Sequence, residues 1–263
     1  MTEIEILATG DVCIAVEIGD GVPSILHWGA PTSVSLPVDH VQVPGTIDVV
    51  RRTPLVPLHG DGFPGRPGLL GHRRGGRHWA PRFTHVDHTR IETPSTSRLD
   101  VRSRDDVAEL DLICRIELDG DGVLVVSTQV DNTAQSPYML DALTVTLPFP
   151  AHAGSLGTFH GRWAREFQWE TFEWMHGTWT AENRSGRSSH EHPPYLWILE
   201  SNATEAIGDV WGVHVAWSGN HVIAAERVTD GRRYVQAGEL FHPGEIAIEP
   251  GARFRTPDVI GVF

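Results

Sequence analysis

The residues that could do chemistry in this chain fall into four groups. His190-Glu191-His192 sets two imidazoles at i and i+2, which on a strand point to one side, a spacing metal sites use. No third ligand is near in sequence, so a hydrogen-bonding role competes with metal binding and no metal is expected. Glu166, Glu170 and Glu173 offer carboxylates, and glycosidases need two of them about 5–10 Å apart. Catalytic pairs usually come from different elements, which favours a solvated or structural run. Gly60-Asp61-Gly62-Phe63-Pro64-Gly65 matches the spacing of a dinucleotide-binding turn, but Pro64 and Pro67 remove donors and block the helix that turn must open. Trp163, Trp169, Trp174 and Trp179, with Phe167 and Phe172 between them, supply flat faces for a sugar ring, an interface, or a core. The core is the expectation for most of them. No Ser/His/Asp order or nucleophile elbow appears.

The elements that must position these groups read as strands. Val12–Ile18 alternates, turns at Gly19-Asp20-Gly21, and returns through Pro23–Gly29. Leu110–Leu118 and Val123–Val130 flank Asp119-Gly120-Asp121-Gly122, the clearest hairpin in the chain. Further strands are expected at Ala142–Leu147, Tyr195–Glu200, Val210–Ser218, His221–Val228 and Glu245–Ile248. Ala164–Met175 fits either a helical turn or two or an irregular strand. The many glycines and prolines between Leu55 and Phe83 predict a long functional or contact-making loop. The expectation is an all-β chain, two large packed antiparallel sheets in one domain over residues 1–263.

Composition narrows the partners. A formal net charge of −13, with no Lys/Arg block beyond Arg73, Arg74 and Arg77, argues against nucleic acid. The N-terminus shows neither a secretory signal nor a membrane span, so no membrane partner, a cytoplasmic location and free thiols at Cys13 and Cys114 are expected. The sequons at Asn183 and Asn202 are then coincidental.

Five segments in order resemble glycoside hydrolase family 36. Leu26-His27-Trp28-Gly29-Ala30 fits that family's early hairpin. Gly161-Arg162-Trp163-Ala164-Arg165-Glu166 is similar to its Trp followed by a basic-acidic pair. Gly186-Arg187-Ser188-Ser189-His190-Glu191-His192-Pro193-Pro194-Tyr195 resembles its "SSHxHNPF" signature. Gly212 to His221, with Ser218 and Asn220, looks like its "YGxxLxYSGN" strand and turn, and Glu249 to Asp258 resembles "xPGExFxTPE", with Ala252 and Asp258 departing.

The resemblance implies the N-terminal β-supersandwich of a retaining α-galactosidase, similar in architecture to galactose mutarotase. In that family a (β/α)8 barrel follows and carries two catalytic Asp, so this chain is expected to be inactive alone, without cofactor. Its partners would be the barrel, other copies in a homo-oligomer, and galactoside sugars. In tetrameric relatives an N-terminal loop reaches a neighbour's active site with an Asp and an Arg in a "GxGDxRxP"-like motif. The counterparts here are Asp61 and Arg66, in a disturbed match where Phe63 replaces the acidic residue, with Trp79 in the same loop as a third candidate sugar contact. Trp163, Arg165, Glu166, Ser189, His190, His192, Ser218 and Asn220 carry the structural motifs. The competing readings are a free-standing sugar-binding or mutarotase-like protein, which would need His190 or His192 to converge with Glu166, and a pure oligomerisation scaffold.

Overall fold

The computed structural model describes residues 2–31 and 52–263. The chain opens with a hairpin sheet of β1 (Glu3–Ala8), β2 (Cys13–Ile18) and β3 (Ser24–Gly29). The Gly/Pro-rich stretch holds a 3₁₀ turn at His59–Asp61 and a strand, β4 (Leu69–His72). A meander follows: β5 (Thr84–Glu92), β6 (Thr96–Asp105), β7 (Leu110–Asp119) and β8 (Leu124–Asn132). Next come β9 (Tyr138–Leu143), β10 (Val145–Phe149), β11 (Ala153–Arg162), β12 (Arg165–Glu173) and β13 (Gly177–Asn183). The chain closes with β14 (Tyr195–Glu200), β15 (Val210–Val215), β16 (His221–Arg227), β17 (Arg233–Glu239), β18 (Ile246–Ile248), β19 (Arg253–Arg255) and β20 (Val259–Val262).

The all-β expectation holds, and the strands sort into one ten-stranded sheet and three smaller ones. The large sheet runs β12-β11-β14-β15-β20-β8-β7-β6-β5, with β19 pairing β8 off the path. A four-stranded sheet, β10-β17-β16-β13, and a three-stranded one, β18-β9-β4, join the opening hairpin sheet. One core cluster takes side chains from all four sheets, among them Leu7, Ile14, Leu69, Leu112, Leu140, Ile198 and Val235.

The central hairpin shows how local chemistry sets register. Asp119 Oδ1 accepts from the N–H groups of Asp121 (3.0 Å) and Val123 (2.8 Å), and Gly122 takes φ 85°. An L side chain disfavours that φ, so Gly122 closes the turn and aligns Leu118 with Leu124. Along β7 the apolar positions Leu112, Cys114, Ile116 and Leu118 then all face inward.

Several expectations change in detail. Ala142–Leu147 is not one strand but the junction of β9 and β10, which belong to different sheets. The break falls at Thr144, whose N–H donates to Gly68 O at 2.8 Å, outside either ladder. Between Ala164 and Met175 the open choice resolves as strand β12. The expected loop from Leu55 to Phe83 contains β4, which pairs with β9. Of the four crowded tryptophans, Trp174 is buried and Trp179 packs partly buried against the core, whereas Trp163 and Trp169 are exposed. Trp174, Trp211 and Trp28 all pack on Phe149, at ring-centroid distances of 6.0, 5.9 and 5.8 Å.

Arg73 has left the basic patch that its neighbours suggest. It is buried, with Nη1 donating to Ser136 O (2.5 Å) and Nη2 to Ala108 O (2.6 Å) and Asn132 Oδ1 (3.0 Å). Its guanidinium lies 5.5 Å from the centre of the Tyr138 ring. A fork of donors that ties β4 to the ends of β6 and β8 is not replaceable by an alkyl chain, because the carbonyls it serves would be left buried and unpaired. Arg73→Met should lower unfolding free energy by about 3 kcal/mol in urea titration, while Arg74→Met at an exposed position should change it by less than about 0.5 kcal/mol.

Candidate functional site

The segment that carries Asp61 and Arg66 is pinned to the four-stranded sheet by its backbone. Gly62 N donates to His59 O (3.0 Å) and Gly62 adopts φ 67°, turning the chain. Three residues on, Gly65 lies so close to β17 that any Cβ would collide with the Tyr234 hydroxyl. The Arg66 N–H then donates to both Glu226 Oε2 and Tyr234 Oη at 2.9 Å, and Gln236 Nε2 donates to Arg66 O at 2.9 Å. The Tyr234 hydroxyl itself donates to Glu226 Oε2. Phe63 packs on the Tyr234 ring at 5.5 Å, with the Arg232 guanidinium 5.3 Å from its own ring centre. Arg66 is thus fixed at the main chain, while its half-buried side chain makes no hydrogen bond or ion pair with a described residue.

Asp61 turns toward Arg82, Oδ1 to Nε 3.8 Å, and not toward Arg66. The contact follows from Gly60, where a Cβ would stand 2.5 Å from Pro81 O and Arg82 Cγ. Trp79 is 58% exposed, its ring held edge-on by His59 at 5.6 Å. His78 before it takes φ 56°, a strained value for a side-chain-bearing residue. Arg82 and His78 also line a groove of about 400 Å³ with Arg104, Asp106 and Thr84. The structure therefore groups Asp61 with Arg82, His59 and Trp79, and holds Arg66 by a separate clamp. Sequence reasoning missed Arg82, His59 and the clamp residues Glu226, Tyr234 and Gln236, which lie on distant strands.

The histidine-rich motif is a brace. Asn183, fully buried at the end of β13, donates through Nδ2 to Arg187 O (2.7 Å) and Gly219 O (3.1 Å), while its Oδ1 accepts from Ser189 Oγ (3.1 Å). Ser189 Oγ in turn accepts from His192 N (3.3 Å). Asn220 Oδ1 accepts from Gly186 N (2.8 Å), and Ser188 N donates to Ser218 O (2.7 Å). His190 and His192 are exposed. The sequon hinted at Asn183 for the wrong reason; its amide is committed and buried.

Trp163, Arg165 and Glu166 form the tip of the β11–β12 hairpin. Ala164 has φ 61° and Phe167 φ 53°, and Glu166 Oε1 accepts from Ala164 N at 2.8 Å. Glu166 thus stabilises its own turn. Among the described residues, three candidate metal ligands come together at Glu3, Glu5 and His88, not among Glu166, His190 and His192. Among the described residues, no group of three ligand atoms within 4.8 Å of one another includes Glu166, His190 or His192.

The hairpin also shows an aromatic band. Phe159 touches Trp169 (4.8 Å), Phe167 (6.0 Å) and Tyr195 (6.0 Å), and Tyr195 lies 6.5 Å from His214. Trp163 is 83%, Phe167 68% and Trp169 47% exposed.

Comparison with known proteins decides the family. The model of the glycosyl hydrolase family 36 N-terminal domain matches residues 21–249. The chain belongs to that family. An α-galactosidase from Escherichia coli is 37% identical over 238 residues, covering 89% of this chain and 33% of the relative. The α-galactosidase AgaA of Geobacillus stearothermophilus is 32% identical over 127 residues, 48% of this chain and 17% of the relative. In structure, this family 36 domain superposes on AgaA with a TM-score of 0.84 at 20% identity, covering 99% of this chain and 40% of that one. A Lactobacillus brevis α-galactosidase gives 0.85 at 18% identity, with 98% and 39% covered. The chain spans about a third or less of the curated relatives' length and corresponds to the N-terminal domain of family 36 α-galactosidases.

Burial sets two further expectations for this family 36 domain. His214 and His221 are pushed below the usual imidazole value, first by burial, with backbone hydrogen bonds partly opposing. Above the unfolded value both states are neutral and stability is indifferent to pH. As pH falls below about 6.5 the unfolded imidazoles take up protons that the folded ones refuse, so stability declines. Urea midpoints should fall from about pH 7.5 to about pH 5.5, and His221→Asn should flatten that fall. Burial pushes the Cys114 thiol up to about 12. Cys114 should resist iodoacetamide in the native protein and react only in denaturant, as peptide mass mapping would show.

Proposed function

We propose that this domain is the accessory, non-catalytic part of a retaining α-galactosidase, packing against a (β/α)8 catalytic domain and other copies, with its Leu55–Phe83 segment bordering the galactoside site. The observation that carries the reading is the Arg66 clamp. A backbone fixed at N–H and C=O presents a guanidinium that makes no hydrogen bond or ion pair among the described residues, and Arg donors suit sugar hydroxyls. Asp61 and Arg82 add an acceptor and donors, and Trp79 an exposed flat face for the C–H side of a sugar. Variants of the Geobacillus relative AgaA have been crystallised with stachyose and with raffinose, which makes α-galactosyl oligosaccharides the class to try.

The exposed aromatic band around Phe159 and Trp169 supports a packing role. Exposed aromatics gathered on an edge hairpin mark an interaction surface more than a solvated one. The same band favours a second reading, an assembly scaffold without a sugar contact.

Three measurements separate these. The 263-residue chain alone should show no turnover of a chromogenic α-galactoside; turnover above background would overturn the non-catalytic reading. Calorimetric titration with raffinose should give weak binding, on the order of millimolar, that Arg66→Ala abolishes. Absent heat in both proteins favours the scaffold. Sedimentation should show association that Trp169→Ala with Phe167→Ala reduces.

A further inference from the structure

One side-chain cluster outside the loop and the hairpin joins two sheets. Glu3 and Glu5 lie two apart on β1, so both carboxylates project to the same side. That side meets β5, the edge of the ten-stranded sheet, where His88 Nε2 is 3.7 Å from Glu3 Oε2. Ligand atoms of Glu3, Glu5 and His88 all lie within 4.8 Å of one another.

The register of β5 explains why a second histidine stands behind the first. His85 pairs with Ser103 and Asp87 with Arg102, so Val86 is an extra residue, a bulge. One extra residue changes the parity of the alternation, and His85 and His88, three apart, come to the same side. His85 Nε2 is 3.4 Å from His88 Nδ1, with ring centroids 5.5 Å apart.

We propose that Glu3, Glu5 and His88 bind a divalent transition-metal ion, with Zn²⁺ the best fit, tying the β1 hairpin to the edge strand β5. One imidazole and two carboxylates make a mixed nitrogen–oxygen set that suits Zn²⁺, whereas Mg²⁺ and Ca²⁺ take oxygen ligands. Two ligands each about 2.1 Å from a tetrahedral ion stand about 3.4 Å apart, so the 3.7 Å between His88 and Glu3 needs only a small closure. His85 faces the other ring nitrogen of His88, the outer partner that orients a ligating imidazole and sets its tautomer. Arg90 Nη1 holds Glu5 Oε2 at 2.8 Å but shares its charge with Glu92, and it leaves Glu5 Oε1 for the ion. The site is independent of the α-galactosidase reading.

The test is calorimetric titration of the tag-free, chelator-treated 263-residue chain with ZnCl₂ and with MgCl₂, beside thermal melts. Expected are about one Zn²⁺ bound per chain, a raised Tm, and no Mg²⁺ response at the same concentrations. Glu3→Gln and His88→Ala should each abolish binding, and circular dichroism reports whether each variant is folded. His85→Gln should weaken it about tenfold or more. A His190→Ala, His192→Ala double variant should bind as the parent does. Zn²⁺ uptake unchanged by Glu3→Gln or His88→Ala, uptake lost in the double variant, or no uptake at all would overturn the assignment.

Discussion

A wide antiparallel sheet has one face that must leave water, and here the ten-stranded sheet depends on three smaller sheets to cover it. The buried apolar side chains of β7, β8, β11, β14 and β15, with Leu99 and Val101 of β6, form one apolar surface. The opening hairpin, the β10-β17-β16-β13 sheet and the β18-β9-β4 sheet close over that surface with Ile14, Val235, Leu140 and their neighbours. At roughly 25 cal/mol per Å² of apolar area, this burial is the dominant favourable term, and no local hydrogen bond competes with it in size. The split of β9 from β10 at Thr144 serves the same end, letting consecutive strands enter two different covering sheets.

Positioning of the candidate site follows from that cover. Tyr234, Glu226 and Gln236 sit on β16 and β17 of the covering four-stranded sheet, and their polar ends reach the main chain around Arg66. A Gly/Pro-rich segment has little structure of its own to hold a guanidinium still. Borrowing three hydrogen-bonding groups from a packed sheet supplies the rigidity that a binding residue needs. Gly65 and Gly60 permit the approach, each because a side chain there would meet an atom of the facing segment. The edges of the large sheet behave differently. At β12 aromatic rings stand in solvent, and at β5 a bulge regroups two histidines, both ways in which an edge strand departs from plain pairing.

The family assignment and the physical reading meet at the structural motifs. The conspicuous histidines of the signature segment are exposed, and the residue that organises it is Asn183, seven positions before His190. Likewise Glu166 caps its own hairpin. These motif residues keep loops in place.

How much of this was legible beforehand depended on the range of the interaction concerned. The sequence by itself determined the all-β class, the Asp119–Gly122 hairpin and the family, because alternation, turn residues and ordered motifs are local signals. Strand β6 was not legible: Thr96–Asp105 alternates perfectly in burial, yet Ser97, Ser103 and Asp105 occupy inward positions beside only Leu99 and Val101. Only the tertiary structure decided which tryptophans are core, which carbonyls Arg73 serves, and that Asp61 faces Arg82 and not Arg66. Each of those outcomes is set by groups from strands far apart in sequence, whose meeting is fixed by the covering of the large sheet and by nothing in the local pattern.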